Sequence, residues 1–405
     1  MRKPIYVYVT PYFPSPGNWR FAHGYDFVMA LISTGLFDVR VFVEGNGCAY
    51  EYRGVRVCQF RSCRLPSNVF PFLFEKWNAA SFLKVLQNEG IRVEDVAVCH
   101  AHTANFVSYP LAVKKLNKNC LALLHHHCPQ SFGLNLGRLR HLWLYNLIEY
   151  PLLRRRHEEI DCHLFISNIV AKSFLSVPDT SWTDYPDYRS QMKWLPYASP
   201  RIRDYLVVHN VVDEKSLCPI VCGKAARSKT FVIGCIGNFV DWKDQQSLIK
   251  AIRFVRKDNN PEIKIRFVGT GPTLKECRGL AKSEHVDAEF TPKLERNEIA
   301  DFYHSLDLFV LPSYFEGFGC VFIEAALSGV PFITCEGQGM DDYFSQKERG
   351  KWLVRRGDVR HLGELISNYI AYGYKQEFAC PLKSDEIMSC FVAQIQRRIL
   401  EKYKS

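Results

Sequence analysis

Short, strongly apolar runs recur along this chain, and between them apolar residues return at helical rather than alternating spacing. Runs of four to eight residues bounded by turn-forming residues predict buried strands. In the first half they fall at 5–10, 39–44, 96–102, 121–127 and 162–167, with a further one at 205–209 after an irregular aromatic stretch over 177–200. A second series falls at 231–237, 263–269, 289–291, 308–312 and 331–335. Strands alternating with helices predict an α/β protein built from doubly wound parallel sheets. Residues 384–402 predict a closing helix. Ile387, Phe391, Ile395 and Ile399 share one face, acidic residues open it, and Arg397, Arg398 and Lys402 lie toward its end.

A length of 405 residues exceeds what one hydrophobic core usually supports. The two strand series therefore predict two Rossmann-like domains, 1–212 and 213–382, with 383–405 returning to the first. Two such units in tandem imply a cleft, with ligands at the carboxyl ends of the strands. No apolar stretch reaches the roughly 20 residues of a spanning helix. The opening residues lack the pattern of a signal peptide, so the expected location is cytoplasmic. The 15 cysteines are scattered through apolar segments without paired zinc-ligand spacing, which points to free, buried thiols. The net charge of +10 comes without any nucleic-acid-binding module. That leaves an anionic membrane surface or phosphorylated small substrates as the partners of the charge.

The most informative stretch is 308–335, LFVLPSYFEGFGCVFIEAALSGVPFITC. A strand ends at Pro312, a loop presents Glu316-Gly317-Phe318-Gly319, and a short helix follows, ending at Gly329 before the next strand. Glycines let backbone approach a ligand closely, and the amides at a helix start can hold a phosphate. Glu324 lies eight residues beyond Glu316, two turns on and on a similar face, so the two carboxylates can address opposite ends of an elongated ligand.

This segment resembles the Glu-x7-Glu element of retaining glycosyltransferase family 4, which has the GT-B architecture of two Rossmann-like domains facing across a cleft. The resemblance implies that Glu316 contacts the donor sugar, that backbone amides around Gly317, Phe318, Gly319 and Cys320 hold the diphosphate, and that Glu324 binds the ribose. Residues 232–238 with Asp241-Trp242-Lys243-Asp244 are similar to the family's Gly-Arg…Lys-Gly element. There Lys243 matches the diphosphate lysine, Asn238 stands where Arg is common, and Asp244 where Gly is. The turn at 267–272 and the base-framing segment around Lys293 also resemble the family, with Pro292 replacing a usual Gly, as does the late turn at 351–358. In the first domain, His127, with His126 as the alternative, matches a histidine that approaches the donor sugar, and Gly17 matches the family's glycine loop.

The resemblance implies transfer of a hexosyl-type sugar with retention, needing no cofactor and no metal, from a nucleotide-diphosphate donor to a glycan or lipid-linked acceptor. Bacterial surface polysaccharide synthesis is the expected setting. A sugar-nucleotide epimerase, a glycan phosphorylase and a non-catalytic sugar-nucleotide-binding protein remain the alternatives. Arg138, Arg140 and Arg154-Arg155-Arg156 offer either a solvated basic face or attachment to an anionic leaflet. His100 and His102 share a strand face that could bind a metal; without a carboxylate or cysteine at ligand spacing, the preferred reading is polar residues at a strand end.

Overall fold

The computed structural model describes residues 3–15, 18, 22–63, 73–127, 133–135, 152, 154–175, 194–196, 200–217, 230–256 and 261–404. The chain divides into two compact units, one of residues 1–181, 186–211 and 384–405, the other of residues 212–383.

The first unit is organised by an eight-stranded sheet. Its strands are β1 (Ile5–Thr10), β2 (Asp38–Glu44), β3 (Tyr50–Tyr52), β4 (Val55–Phe60), β5 (Val96–Ala101), β6 (Leu121–His126), β8 (Cys162–Phe165) and β10 (Tyr205–Val207). Two short strands, β7 (Gly133–Asn135) and β9 (Trp194–Pro196), pair separately. The order β10-β8-β6-β5-β1-β2-β4-β3 is parallel apart from the β3–β4 hairpin. All six residues of β1 are buried, as expected of a central strand covered on both faces. Its helices include α1 (Ala22–Ser33), α2 (Glu75–Asn88), α3 (Ser108–Leu116) and α4 (Asn168–Leu175).

The β3–β4 hairpin lies where no strand is predicted. Arg53 and Gly54 both have positive φ, 46° and 81°, the conformation a tight two-residue hairpin turn demands. Arginine does not announce such a turn, so the signal rested on Gly54 and the alternation in Val55–Phe60. Elsewhere the predicted strands form with ends shifted by one or two residues.

The second unit contains β11 (Thr230–Ile236), β12 (Glu262–Val268), β13 (Asp287–Thr291), β14 (Leu308–Leu311), β15 (Phe332–Cys335) and β16 (Leu353–Val354). Its helices are α5 (Gln245–Ala251), α6 (Leu274–Ser283), α7 (Ile299–His304), α8 (Cys320–Leu327), α9 (Gln346–Trp352) and α10 (Val359–Tyr372). The strand order β13-β12-β11-β14-β15-β16 is that of a dinucleotide-binding Rossmann sheet. Chain direction across the sheet reverses between β11 and β14, which opens a crevice at their carboxyl ends. Residues 353–354, read as part of a turn, supply the edge strand instead.

The final helix, α11 (Ser384–Lys404), belongs to the first unit. Its apolar face buries Ile387, Met388, Phe391, Val392 and Ile395 in the same core as Phe27 and Leu31 of α1. Phe391 meets Phe27 edge to face at 5.5 Å. Two ion pairs anchor the far end of α11: Arg398 grips Asp204, and Lys402 reaches Asp161 at 2.7 Å.

Candidate functional site

The loops after β11 and β14 carry Asn238, Lys243, Glu316, Gly317, Phe318 and Gly319, so the fold brings these residues to the switch point of the second sheet. After β11 the backbone runs through Gly237 and Asn238 into Phe239, which is buried and packs on Phe267 and Phe290. The Phe239 amide donates to Thr270 O at 2.9 Å. A Cβ on Gly271 would lie 2.2 Å from Phe239 O, so this close pass of two loops requires glycine. The glycine-rich turn at 267–272 thus positions the β11 loop.

That loop continues through a single 3-10 turn, Asp241–Lys243, into α5. Asp244 caps α5 with φ +47°, accepting from the Ser247 amide at 3.3 Å and from Ser247 Oγ at 2.6 Å. A glycine takes this left-handed conformation freely; Asp244 holds it through its bonds to Ser247. Burial raises the Asp244 pKa to about 6.

Lys243 Nζ forms an ion pair with Glu316 Oε1, and both side chains are largely shielded, at 20% and 11% exposure. Ser313 Oγ donates to the same carboxylate oxygen at 3.1 Å. The Tyr314 amide donates to Trp242 O at 2.7 Å, tying the two loops together at the backbone as well. The Gly339 amide donates to Glu316 O at 3.2 Å, which adds the loop after β15 to the same knot.

Glu316 sits in the loop, four positions before α8 begins, so it and Glu324 do not share a helical face. Gly319 turns the chain into α8 with φ +87°. Phe318 is buried and faces Tyr343 at 6.0 Å, while Cys320 opens the helix. Glu324 accepts a 2.8 Å hydrogen bond from Tyr303 of α7. Burial pushes the Glu324 carboxyl upward, opposed by the Tyr303 hydroxyl and by the nearby Arg296 guanidinium. Arg296 is itself paired with Asp213 at 3.2 Å.

The remaining predicted residues are less closely joined. Asn238 is exposed in the β11 loop, and its carbonyl accepts from Gln245 at 3.0 Å. Lys293 is exposed and pairs locally with Glu295 at 2.9 Å. Gly17 lies outside the described residues, as do Arg138 and Arg140. Arg154 and Arg156 are engaged by Glu158 and Glu75, which leaves Arg155 as the exposed member of that triplet.

In the first unit, alternation along β6 sends His125 and His127 to one face of the sheet and His126 to the other. His126 Nε2 lies 2.9 Å from His163 Nδ1, and its ring stacks on Phe165. His127 lies beside His102 and His125, with ring centroids 3.9 and 4.3 Å away, and burial holds its pKa well below the usual imidazole range.

Tyr303, Ser313 and Arg296 were not legible as site residues. Tyr303 belongs to a short amphipathic helix and reads as core. Ser313 and Arg296 gain significance only from the carboxylates that folding places beside them.

Residues 223–377 match the family described as Glycosyl transferases group 1. The chain is 24% identical over 362 residues to the sulfoquinovosyl transferase SQD2 of Arabidopsis thaliana, covering 86% of this chain and 64% of that protein. It is 30% identical over 145 residues to the capsular polysaccharide biosynthesis glycosyltransferase CapM of Staphylococcus aureus, covering 35% and 37%. The chain thus spans less than two thirds of the length of either relative. Among solved structures, sucrose-phosphate synthase from Thermosynechococcus elongatus superposes with a TM-score of 0.64 at 17% identity, covering 100% of this chain and 98% of that one. Anabaena HepE in complex with UDP and glucose superposes with a TM-score of 0.58 at 16% identity, covering 99% of each chain. The second unit of this chain therefore carries the glycosyl transferases group 1 match over residues 223–377, and the chain has the GT-B fold.

Proposed function

We propose that this protein is a family 4 retaining glycosyltransferase that moves a hexosyl-type sugar from a nucleotide-diphosphate donor to a glycan or lipid-linked saccharide acceptor. The observation that carries this reading is the shielded Lys243–Glu316 pair at the switch point of the second sheet. When the donor binds, Lys243 turns from Glu316 to the diphosphate, and Glu316 takes up the sugar. Amides from Gly317 to Cys320, at the start of α8, receive the rest of the diphosphate charge. Glu324, oriented by Tyr303, accepts from the ribose hydroxyls, and the backbone near Lys293 frames the base.

The leaving nucleotide diphosphate gains negative charge as the glycosidic bond breaks. A fixed cation and backbone dipoles stabilise that charge in the transition state more than in the ground state. No cofactor or metal enters this scheme. Asn238 stands where a second cation is common, so Lys243 carries a larger share of the charge. From the first unit, His127 is assigned to the donor sugar. The similarity to CapM, a capsular polysaccharide biosynthesis glycosyltransferase, supports a place in bacterial surface polysaccharide synthesis. The net charge of +10 supports peripheral contact with the inner face of the cell membrane.

The test is a panel of nucleotide sugars incubated in EDTA with candidate acceptors. Acceptor-dependent release of nucleotide diphosphate, with the donor's anomeric configuration kept in the product, is the expected result. Phosphate-dependent release of a sugar 1-phosphate, or turnover without an acceptor, would replace this reading with a phosphorylase or an epimerase.

A further inference from the structure

The first unit contains a group of histidines that the transfer chemistry does not use. Strands β5 and β6 pair in parallel with His100 opposite Leu123 and Ala101 opposite Leu124. That register puts His102 level with His125, and alternation keeps His100, His102 and His125 on one face. Sequence spacing along either strand alone hides this set, because its third member comes from the neighbouring strand. All three are buried, at 0%, 5% and 1% exposure.

The nitrogens of these rings are divided in a specific way. His100 Nδ1 is 2.8 Å from the Tyr6 hydroxyl, and His102 Nδ1 is hydrogen-bonded to the Tyr8 hydroxyl. Among the described residues, the Nε2 atoms of both rings and both nitrogens of His125 are buried without a hydrogen-bond partner. Buried polar atoms are rarely left so, and several together mark a place where something binds. One ring nitrogen from each of the three lies within 4.8 Å of the other two.

We propose that His100, His102 and His125 form a binding site for one divalent transition-metal ion of the zinc class. Neutral imidazoles suit such ions and do not suit magnesium or calcium. Three imidazoles around a tetrahedral zinc ion, with bonds of about 2.0 Å, place their ring centroids roughly 5 Å apart. The observed separations are 5.3 Å for His100–His125, 5.4 Å for His102–His125 and 6.3 Å for His100–His102. Shifts on the order of 1 Å therefore complete the site.

Tyr6 and Tyr8 act as positioning residues. When Nδ1 carries the proton and donates to the tyrosine oxygen, Nε2 presents its lone pair inward, an arrangement common to metal-bound histidines. Burial also keeps the rings in the neutral form that binds metal: it lowers the pKa of His100 to about 3 and those of His102 and His125 well below the ordinary value. Phe27 covers one side, with its ring 5.4 Å from His100 and 5.9 Å from His125. The site belongs to the first unit and lies beside His127, whose ring is 3.9 Å from that of His102, whereas the diphosphate residues belong to the second unit.

The test uses the full chain, stripped with a chelator and titrated with cobalt(II). One equivalent should bind with the intense visible absorption of a tetrahedral ion, be displaced by zinc(II), and raise the melting temperature. His102→Leu and His125→Leu should weaken cobalt binding by about tenfold or more, and Tyr8→Phe by about tenfold, with far-UV circular dichroism confirming the fold. His163→Phe, on the opposite face, should leave the cobalt spectrum unchanged. A spectrum that stays that of hydrated cobalt, wild-type affinity in His125→Leu, or loss of the signal in His163→Phe would overturn the assignment.

Discussion

Lys243 and Glu316, 73 positions apart in the chain, close an ion pair between the loops that follow β11 and β14. The pair holds a cation and a carboxylate where the strand order of the sheet reverses, with both largely withdrawn from water. Lys243→Ala removes the cation and leaves a shielded carboxylate without its partner. Transfer should fall by about 100-fold or more, with a smaller loss in donor affinity. Steady-state kinetics on Lys243→Ala and Lys243→Arg would check this, and an unchanged kcat in the alanine variant would remove Lys243 from the chemistry.

The Tyr303–Glu324 bond gives a second expectation. The carboxylate must be ionised to accept from two hydroxyls, and burial already raises its pKa while Tyr303 lowers it. Tyr303→Phe should therefore raise the Glu324 pKa further. Donor affinity should fall by about tenfold, the equivalent of one hydrogen bond of about 1.4 kcal/mol. The loss should deepen as pH falls, because protonation removes the acceptor. Titration calorimetry across pH 5 to 8 would show it, and a pH-independent loss would point to packing instead.

Asp244 should mark the stability profile. Its folded pKa, about 6, lies above its ordinary value of 3.8, so the native state binds that proton more tightly than the unfolded chain. Its contribution favours folding at low pH and declines as pH rises from about 4 to 6. Asp244→Asn keeps a residue that tolerates positive φ and removes the buried charge. The variant should lose this slope and match or exceed wild-type melting temperature at pH 7.5. Melting curves that keep the same slope over pH 4–6 in both proteins would contradict it.

Gly319 offers a conformational test. At φ +87°, a Cβ would lie 2.6 Å from the Phe322 ring. Gly319→Ala should destabilise the start of α8 by about 1–3 kcal/mol and weaken donor binding, while packing of the first unit persists. Hydrogen exchange would localise the change, which should centre on residues 316–324.

Phe391 tests the closing helix. Its ring is buried against Phe27 in the core of the first unit. Phe391→Ala should cost about 3–5 kcal/mol of that unit's stability. Chemical denaturation would measure it, and a loss below about 1 kcal/mol would mean that α11 docks loosely.

What could be read from sequence divides along physical lines. Buried parallel strands such as 5–10 and 308–312 declare themselves because both faces are covered and the whole run is apolar. The hairpin at Arg53-Gly54 escaped because its turn depends on backbone conformation that an arginine does not advertise. In the second unit, Glu316 and Gly319 stood out through the loop-and-helix pattern that carries them, and Lys243 only through the family resemblance of its surroundings. Tyr303, Ser313 and Arg296 acquire their partners only when distant elements meet. The histidines were visible one strand at a time, but their grouping depends on the register between β5 and β6, which local spacing does not encode.

The most direct test of the central claim is titration of the wild-type chain, Lys243→Ala and Glu324→Ala with a panel of nucleoside diphosphates in EDTA. The account predicts one saturable site without added metal, weakened by at least about tenfold in each variant. No binding by any nucleoside diphosphate, or equal affinity in all three proteins, would contradict it.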